Sequence, residues 1–184
     1  MNCFRRQNYD LLNRFLSYFF LLRLTPIIPP IPPAMVPKII NKIEVIWLGG
    51  HSFLSKDNKE FNFKQDVQAV RNVFESKVKL TIIPCKNVAS NLRTSIYELE
   101  HFLKGKNELC DYLRQRFYND GVHGIQERRV IWDISVIAYM INKEWFDTEE
   151  VSCPNINNDT SYELTTKNHK ITIVNYLNVD KIYK

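Results

Sequence analysis

Two polar side chains, Glu60 and Asn62, stand two residues apart in a loop and could bind a ligand together. In an extended backbone both would face the same way, while Phe61 between them would turn into the core. A carboxylate beside an amide suits adjacent hydroxyl groups, and a sugar is the obvious ligand. The competing interpretation is structural: Glu60 caps an element, Asn62 shapes a turn and Phe61 anchors the loop.

A second candidate is the pair Trp132 and Asp133, which opens an apolar helical pattern over residues 133–141. An aspartate at a helix start is usually an N-cap. The alternative is an oxygen ligand of a hard cation such as calcium, which takes six to eight oxygens and so needs more than one Asp. Trp132 either packs in the core or stacks on a planar base.

The remaining polar residues indicate no common catalytic grouping. The four histidines are scattered, and only His51 and His123, beside glycines, are placed to approach a ligand. The four cysteines lack metal-ligand spacing such as C-x-x-C, so we expect reduced, partly buried thiols. There is no Ser-His-Asp grouping, P-loop or dinucleotide fingerprint. The net charge of +5 without a run of Lys and Arg argues against nucleic-acid binding.

Alternating strands and helices between residues 38 and 184 would position these side chains. Nearly continuous apolar runs at 44–48 and 79–84 predict buried strands. Segments 161–166 and 170–177 predict two further strands, joined as a hairpin around Asn168. Helical patterns with one apolar face are listed here: 67–74 with Asp66 as its cap, 94–104, 107–118 and 133–141. The alternation predicts an α/β fold, with a mostly parallel sheet flanked by helices.

The first 37 residues differ in composition from the rest. They contain no Lys, Glu or Gly and hold six of the eight prolines. Residues 26–37 predict an extended, proline-rich linker, because proline does not continue a helix. Residues 1–25 predict an apolar or amphipathic helical leader, with the domain at 38–184. The apolar run within 9–24 is short for a membrane span, which needs about 20 residues. We therefore expect a cytoplasmic protein, with membrane association through 9–24 as the less favoured alternative.

Three blocks of the chain together resemble the nucleoside hydrolase family, the calcium-dependent N-ribohydrolases. They are VIWLGG at 45–50, EFNFKQDVQAVRNVFES at 60–76 and VIWDISVIAYMI at 130–141. The second block is similar to the family's E-F-N followed by an Asp-initiated helix. The third is similar to the segment in which a late metal-binding Asp opens a helix.

The resemblance implies a role for each matching residue. Glu60 and Asn62 would hold the ribose hydroxyls, Asp133 would be one calcium ligand, and Trp132 would stack on the base, which favours purine nucleosides. In the family mechanism, base loss generates an oxocarbenium-like ribosyl cation. Calcium lowers the pKa of the attacking water and an aspartate takes its proton, giving base plus ribose.

The chain departs from the family pattern in two respects. The family's Asp-rich D-x-D-x-x-x-D-D motif and its threonine-bearing ligand segment are not found, and Asp10 is the only acidic residue before Pro37. We therefore expect a resemblance to the carboxyl-terminal part of the family only, an incomplete calcium site, and weak or no hydrolysis by this chain alone. The alternatives are a non-catalytic ribose- or nucleoside-binding remnant, a subunit needing a second chain, and a membrane-attached protein. An oligomer is compatible with all of them.

Overall fold

The computed structural model describes residues 40–56, 58–119 and 128–184, which alternate between strands and helices. In chain order the elements are β1 (Glu44–Leu48), α1 (Phe61–Gln65), α2 (Val67–Glu75), β2 (Lys79–Ile83), β3 (Arg93–Thr94), α3 (Ile96–Leu103), α4 (Glu108–Asn119), β4 (Arg129–Val130), α5 (Ile134–Ile141), β5 (Phe146–Ser152), β6 (Asn155–Ile156), β7 (Tyr162–Glu163), β8 (Lys170–Leu177) and α6 (Val179–Ile182). These elements belong to one compact unit, Ile40–Lys184.

The main sheet has four strands in the order β1-β2-β8-β5. The β1/β2 and β2/β8 pairings are parallel, and the β8/β5 pairing is antiparallel. Strands β3 and β4 form a separate two-stranded ladder, as do β6 and β7. The prediction of an α/β fold with a mostly parallel sheet flanked by helices is therefore confirmed.

Helices cover both faces of this sheet and form two apolar clusters with it. On one face α2 packs with α1 and the strands through Phe63, Val70, Phe74, Leu80, Ile82 and Ile171. On the other face α5 packs through Leu48, Ile83, Ala138, Tyr139, Val174 and Leu177. Strand β2 is buried on both faces, which explains why its sequence is a continuous apolar run rather than an alternating one.

The helix starts follow the capping residues in the sequence. The Asp66 side chain accepts a hydrogen bond from the Ala69 amide at 2.8 Å and caps α2, as predicted. Helix α3 begins with a capping box, in which Ser95 and Glu98 each bond the other's backbone amide.

One prediction about strand pairing was wrong. Strand β8 does not form a hairpin with residues 161–166: it pairs with β2 and β5, while the short β7 pairs with β6. Strand β8 carries buried residues on both faces, so it belongs inside the main sheet. Helix α4 forms as predicted, but its apolar side chains Leu109, Tyr112 and Leu113 are exposed within the described structure.

The predicted leader 1–25 and linker 26–37, together with Cys3 and His123, lie outside the described residues. Those predictions therefore stay predictions. Within the described ranges, no helix combines the length and the apolar character that crossing a membrane requires. The predicted membrane-contacting segment 9–24 is not part of those ranges.

Candidate functional site

The carboxyl ends of β1 and β2 are joined by backbone hydrogen bonds. The Gly49 amide donates to the Ile83 carbonyl at 3.3 Å, and the Cys85 amide donates to the Gly50 carbonyl at 3.0 Å. The turn after β1 is thus fixed against the segment after β2. Ligands of open α/β sheets bind outside the carboxyl ends of such strands, so this edge is the natural place for a site.

Gly50 in this turn has no room for a side chain. Its φ is +66°, and a Cβ atom built on it would lie 2.5 Å from the hydroxyl oxygen of Tyr162. Glycine adopts this left-handed conformation without the steric penalty that other residues meet. Gly50 therefore lets the chain turn sharply after β1.

The Glu60 carboxylate holds three backbone amides. Its Oε2 accepts from Gly50 and Phe63, each at 3.0 Å, and its Oε1 accepts from Asn62 at 2.9 Å. Glu60 is therefore the N-cap of α1 and also ties that helix to the turn after β1. The structural interpretation of Glu60 as a cap is confirmed.

The prediction that Phe61 turns into the core was wrong. Only Glu60 is extended; residues from Phe61 onward are helical, so the alternation of an extended strand does not apply. Phe61 is 69% exposed, whereas Phe63 is fully buried. The Phe63 ring contacts those of Trp47 and Tyr162, and it is this residue that anchors the segment.

Asn62 is exposed and is fixed by its amide group. Its Nδ2 donates to the Leu48 carbonyl at 2.9 Å, at the end of β1. This bond uses one of two amide hydrogens, and no donor within the described residues bonds the amide oxygen. Asn62 therefore presents the second Nδ2 hydrogen as a donor, and the amide oxygen as an acceptor, to a ligand at the sheet edge.

Cys85 is a member of this site that the sequence reasoning missed. It is buried two residues after the end of β2, where the charge of the Glu60 carboxylate acts on its thiol. Burial raises the pKa of the thiol, and the negative charges of Glu60 and Asp133 raise it further. Its position immediately beyond a predicted parallel strand was the available signal.

Asp133 lies close enough to Cys85 for its negative charge to act on the thiol. It occupies the N-cap position of α5 but makes no side-chain cap bond, so the prediction of a capping Asp was wrong. Ser135 stabilises the helix start instead, because its hydroxyl donates to the Trp132 carbonyl at 2.7 Å. The exposed Asp133 carboxylate is thus not used in capping.

Trp132 lies in the turn before α5, and its side chain is 40% exposed. No hydrogen bond or ring contact joins it to Glu60 or Asn62 within the described part of the chain. His51, beside Gly50, is half-buried: its amide donates to Asn58 Oδ1 at 2.8 Å, and no described group bonds its buried Nδ1.

Calcium, which the family resemblance implies, does not fit the described residues alone. Across residues 40–56, 58–119 and 128–184, no three His, Cys, Asp or Glu side chains come together as a metal site. Asp133 supplies one carboxylate, and calcium takes six to eight oxygens. The described residues therefore do not by themselves form a complete calcium site.

Comparison with known proteins identifies a family and a fold. The family model of the inosine-uridine preferring nucleoside hydrolases matches residues 33–184. No curated protein matches the chain. An inosine-uridine preferring nucleoside hydrolase from Bacillus anthracis superposes with a TM-score of 0.60 at 19% identity, covering 80% of this chain and 51% of that one.

Two further solved structures agree. An inosine-guanosine nucleoside hydrolase gives a TM-score of 0.61 at 12% identity, covering 80% of this chain and 53% of that one. A plant nucleoside hydrolase gives 0.55 at 9% identity, covering 76% and 49%. At these identities the superpositions show a shared fold. The chain spans about half the length of these proteins.

Proposed function

Because the chain belongs to the inosine-uridine preferring nucleoside hydrolase family, we propose that it carries the sugar-binding part of a site for ribonucleosides, with purine nucleosides preferred. The proposed reaction is hydrolysis of the N-glycosidic bond, which releases free base and ribose. One observation carries the proposal: Glu60 and Asn62 are tied to the backbone at the carboxyl edge of β1 and β2.

Asn62 is the proposed contact to the ribose hydroxyls. Its amide oxygen accepts from one hydroxyl, and the second Nδ2 hydrogen donates to a neighbouring hydroxyl oxygen. The bond to the Leu48 carbonyl holds the amide group in place before the ligand arrives. Such preorganisation reduces the entropy that binding must overcome.

Glu60 has less capacity for a ligand than the sequence suggested. A carboxylate offers about four lone-pair positions. Three are used by backbone amides, and the Cys85 thiol is close enough to feel the charge of the same group. About one position is left, and it could accept a single ribose hydroxyl. We therefore propose that Glu60 accepts from one hydroxyl and mainly fixes the turn and Asn62.

Trp132 and Asp133 complete the proposal at the start of α5. The exposed indole is available to stack on a purine base. The Asp133 carboxylate is free of a capping bond and remains the proposed calcium ligand of this chain. Within the described residues Asp133 does not belong to a cluster of three or more His, Cys, Asp or Glu side chains.

A second candidate function is binding of ribose or nucleosides without turnover, or with turnover that needs a second chain. It is favoured by the amides that occupy most of Glu60 and by the single carboxylate at Asp133. A divalent cation held by one carboxylate is weakly bound. We accordingly expect the chain alone to bind a nucleoside and to release base slowly or not at all.

The full chain with calcium tests both functions. Base release from inosine, guanosine and uridine would be followed by chromatography, and binding of inosine and ribose by calorimetry. Saturable inosine binding with little turnover supports the second function, and turnover at an ordinary enzymatic rate supports the first. If neither inosine nor ribose binds, the proposed site is wrong.

A matched pair of variants localises the binding. Asn62→Ala should weaken ribose and inosine binding at least about tenfold, since it removes polar contacts worth about 1.4 kcal/mol or more. Asn72→Ala removes an exposed amide from α2, away from the site, and should leave binding unchanged. Melting temperatures of both variants separate lost contacts from lost folding. Equal affinities for the two variants would exclude Asn62 as a contact.

A further inference from the structure

A cavity of about 400 Å³ lies at the opposite edge of the main sheet from the site described above. It is bounded by the end of α2, the connection from β5 to β6, and the segment leading into β8. Residues 77 and 167–169 precede the amino ends of β2 and β8. None of the residues proposed for the nucleoside site lines this cavity.

Positive charge predominates among its lining side chains. Three are cationic, namely Arg71, Lys77 and Lys167; His169 adds an imidazole, and one residue, Glu75, is acidic. Arg71 is oriented by neutral oxygens: its Nε donates to the Ile156 carbonyl at 3.1 Å and its Nη2 to Asn158 Oδ1 at 2.7 Å. These bonds fix the guanidinium without neutralising its charge.

Lys77 occupies an unfavourable backbone conformation. It directly follows Ser76, the C-cap of α2, and its φ is +63°. This is the left-handed position at which helices usually end with glycine. A side chain there costs roughly 1 kcal/mol, so a lysine in place of glycine points to a use for its ammonium group.

His169 has an unused polar atom in the same cavity. Its Nε2 is buried and has no hydrogen-bond partner among the described residues. Its carbonyl accepts from the Cys153 amide at 2.8 Å, which fixes the backbone. Burial lowers the pKa of the imidazole, and the positive charge of Lys77 lowers it further, so these two groups lie close enough to interact. A buried polar nitrogen without a hydrogen-bond partner is destabilising by about 1–3 kcal/mol.

We propose that this cavity is a binding site for a phosphate group, held by Lys77 and His169 with Arg71 and Lys167 around them. Phosphate oxygens would accept from His169 Nε2 and the Lys77 ammonium, and would balance the excess of cationic side chains around the cavity. Glu75 opposes the anion and limits the affinity. The proposal does not depend on the nucleoside site, because the two share no residue.

The charged groups that line the cavity with His169 determine the direction in which its pKa shifts. Arg71, Lys77 and Lys167 disfavour its protonation, and Glu75 favours it. Burial, and then the charge of Glu75, raise the pKa of Cys153 to about 11, so this thiol is neutral near pH 7. A bound phosphate stabilises the protonated imidazole and should therefore raise the pKa of His169.

The test uses the full chain and NMR of the imidazole nitrogens at fixed ionic strength. Inorganic phosphate and ribose 5-phosphate would each be titrated, with chloride as the control anion. We expect saturable shifts of the His169 signals and an increase in its pKa. Tighter binding of ribose 5-phosphate would identify a phosphate ester as the ligand, and equal binding would identify free phosphate.

Two variants make the test specific. Lys77→Gly removes the ammonium while supplying the residue that the left-handed backbone prefers, so folding is retained. It should weaken phosphate binding about tenfold, as expected for one charge-assisted hydrogen bond. Lys106→Gln removes an exposed lysine between α3 and α4 and should leave binding within about twofold. Shifts that do not saturate, or equal weakening by both variants, would overturn the proposal.

Discussion

Replacing Glu60 with alanine should destabilise the fold more than loss of an ordinary helix cap does. The change removes three acceptor contacts of 2.9–3.0 Å to the amides of Gly50, Asn62 and Phe63. A lost N-cap costs about 1 kcal/mol, and a hydrogen bond to a charged group contributes about 1.5–3 kcal/mol. Adding the cap to the lower end for the Gly50 contact, we expect a loss of about 2.5 kcal/mol in the free energy of unfolding.

Asp66→Ala is the matched control for this change. Asp66 caps α2 a few residues further on and makes one backbone contact, to Ala69 at 2.8 Å. Its loss should cost about 1 kcal/mol. Urea unfolding of the full chain measures both values through the midpoint and the slope of the transition. If Glu60→Ala cost no more than Asp66→Ala, the carboxylate would not be holding the turn after β1.

Two further pairs of variants test the packing around this turn by the same urea assay. Gly50→Ala should cost about 3 kcal/mol, through left-handed strain plus crowding against Tyr162, whereas Gly105→Ala should cost about 1 kcal/mol through strain alone. The φ values are +66° and +67°, and open space surrounds Gly105, so the difference isolates the crowding. Phe63→Ala should cost about 3–5 kcal/mol, whereas Phe61→Ala should stay within about 0.5 kcal/mol. Similar losses within either pair would contradict the packing described here.

Local signals in the sequence predicted the elements that form this fold. The apolar runs over β1 and β2 locate two strands because both are parallel and covered on both sides. Asp66 locates the start of α2 because a short carboxylate side chain reaches the free amides of the first turn. Such signals depend on neighbouring residues only, and a single sequence contains them.

What the sequence did not show depends on distant parts of the chain. Strand β8 lies between β2 and β5, two strands that are distant from it in sequence. The neighbouring segment 161–166 does not indicate this pairing. Cys85 joins Glu60 only because β1 and β2 end side by side. Phe63 replaces Phe61 as the anchor because five helical residues were too few to produce a visible periodicity.

The double use of Glu60 links ligand binding to the stability of the site. The carboxylate already organises Gly50 and Asn62 through their amides, so a ribose hydroxyl meets an arranged group rather than a mobile one. Three backbone amides leave about one lone-pair position on this carboxylate, so Glu60 can accept a single hydroxyl. Changing Glu60 therefore alters both the fold and the proposed contact, whereas changing Asn62 alters mainly the contact. For this reason Asn62, rather than Glu60, is the residue at which binding and folding can be separated.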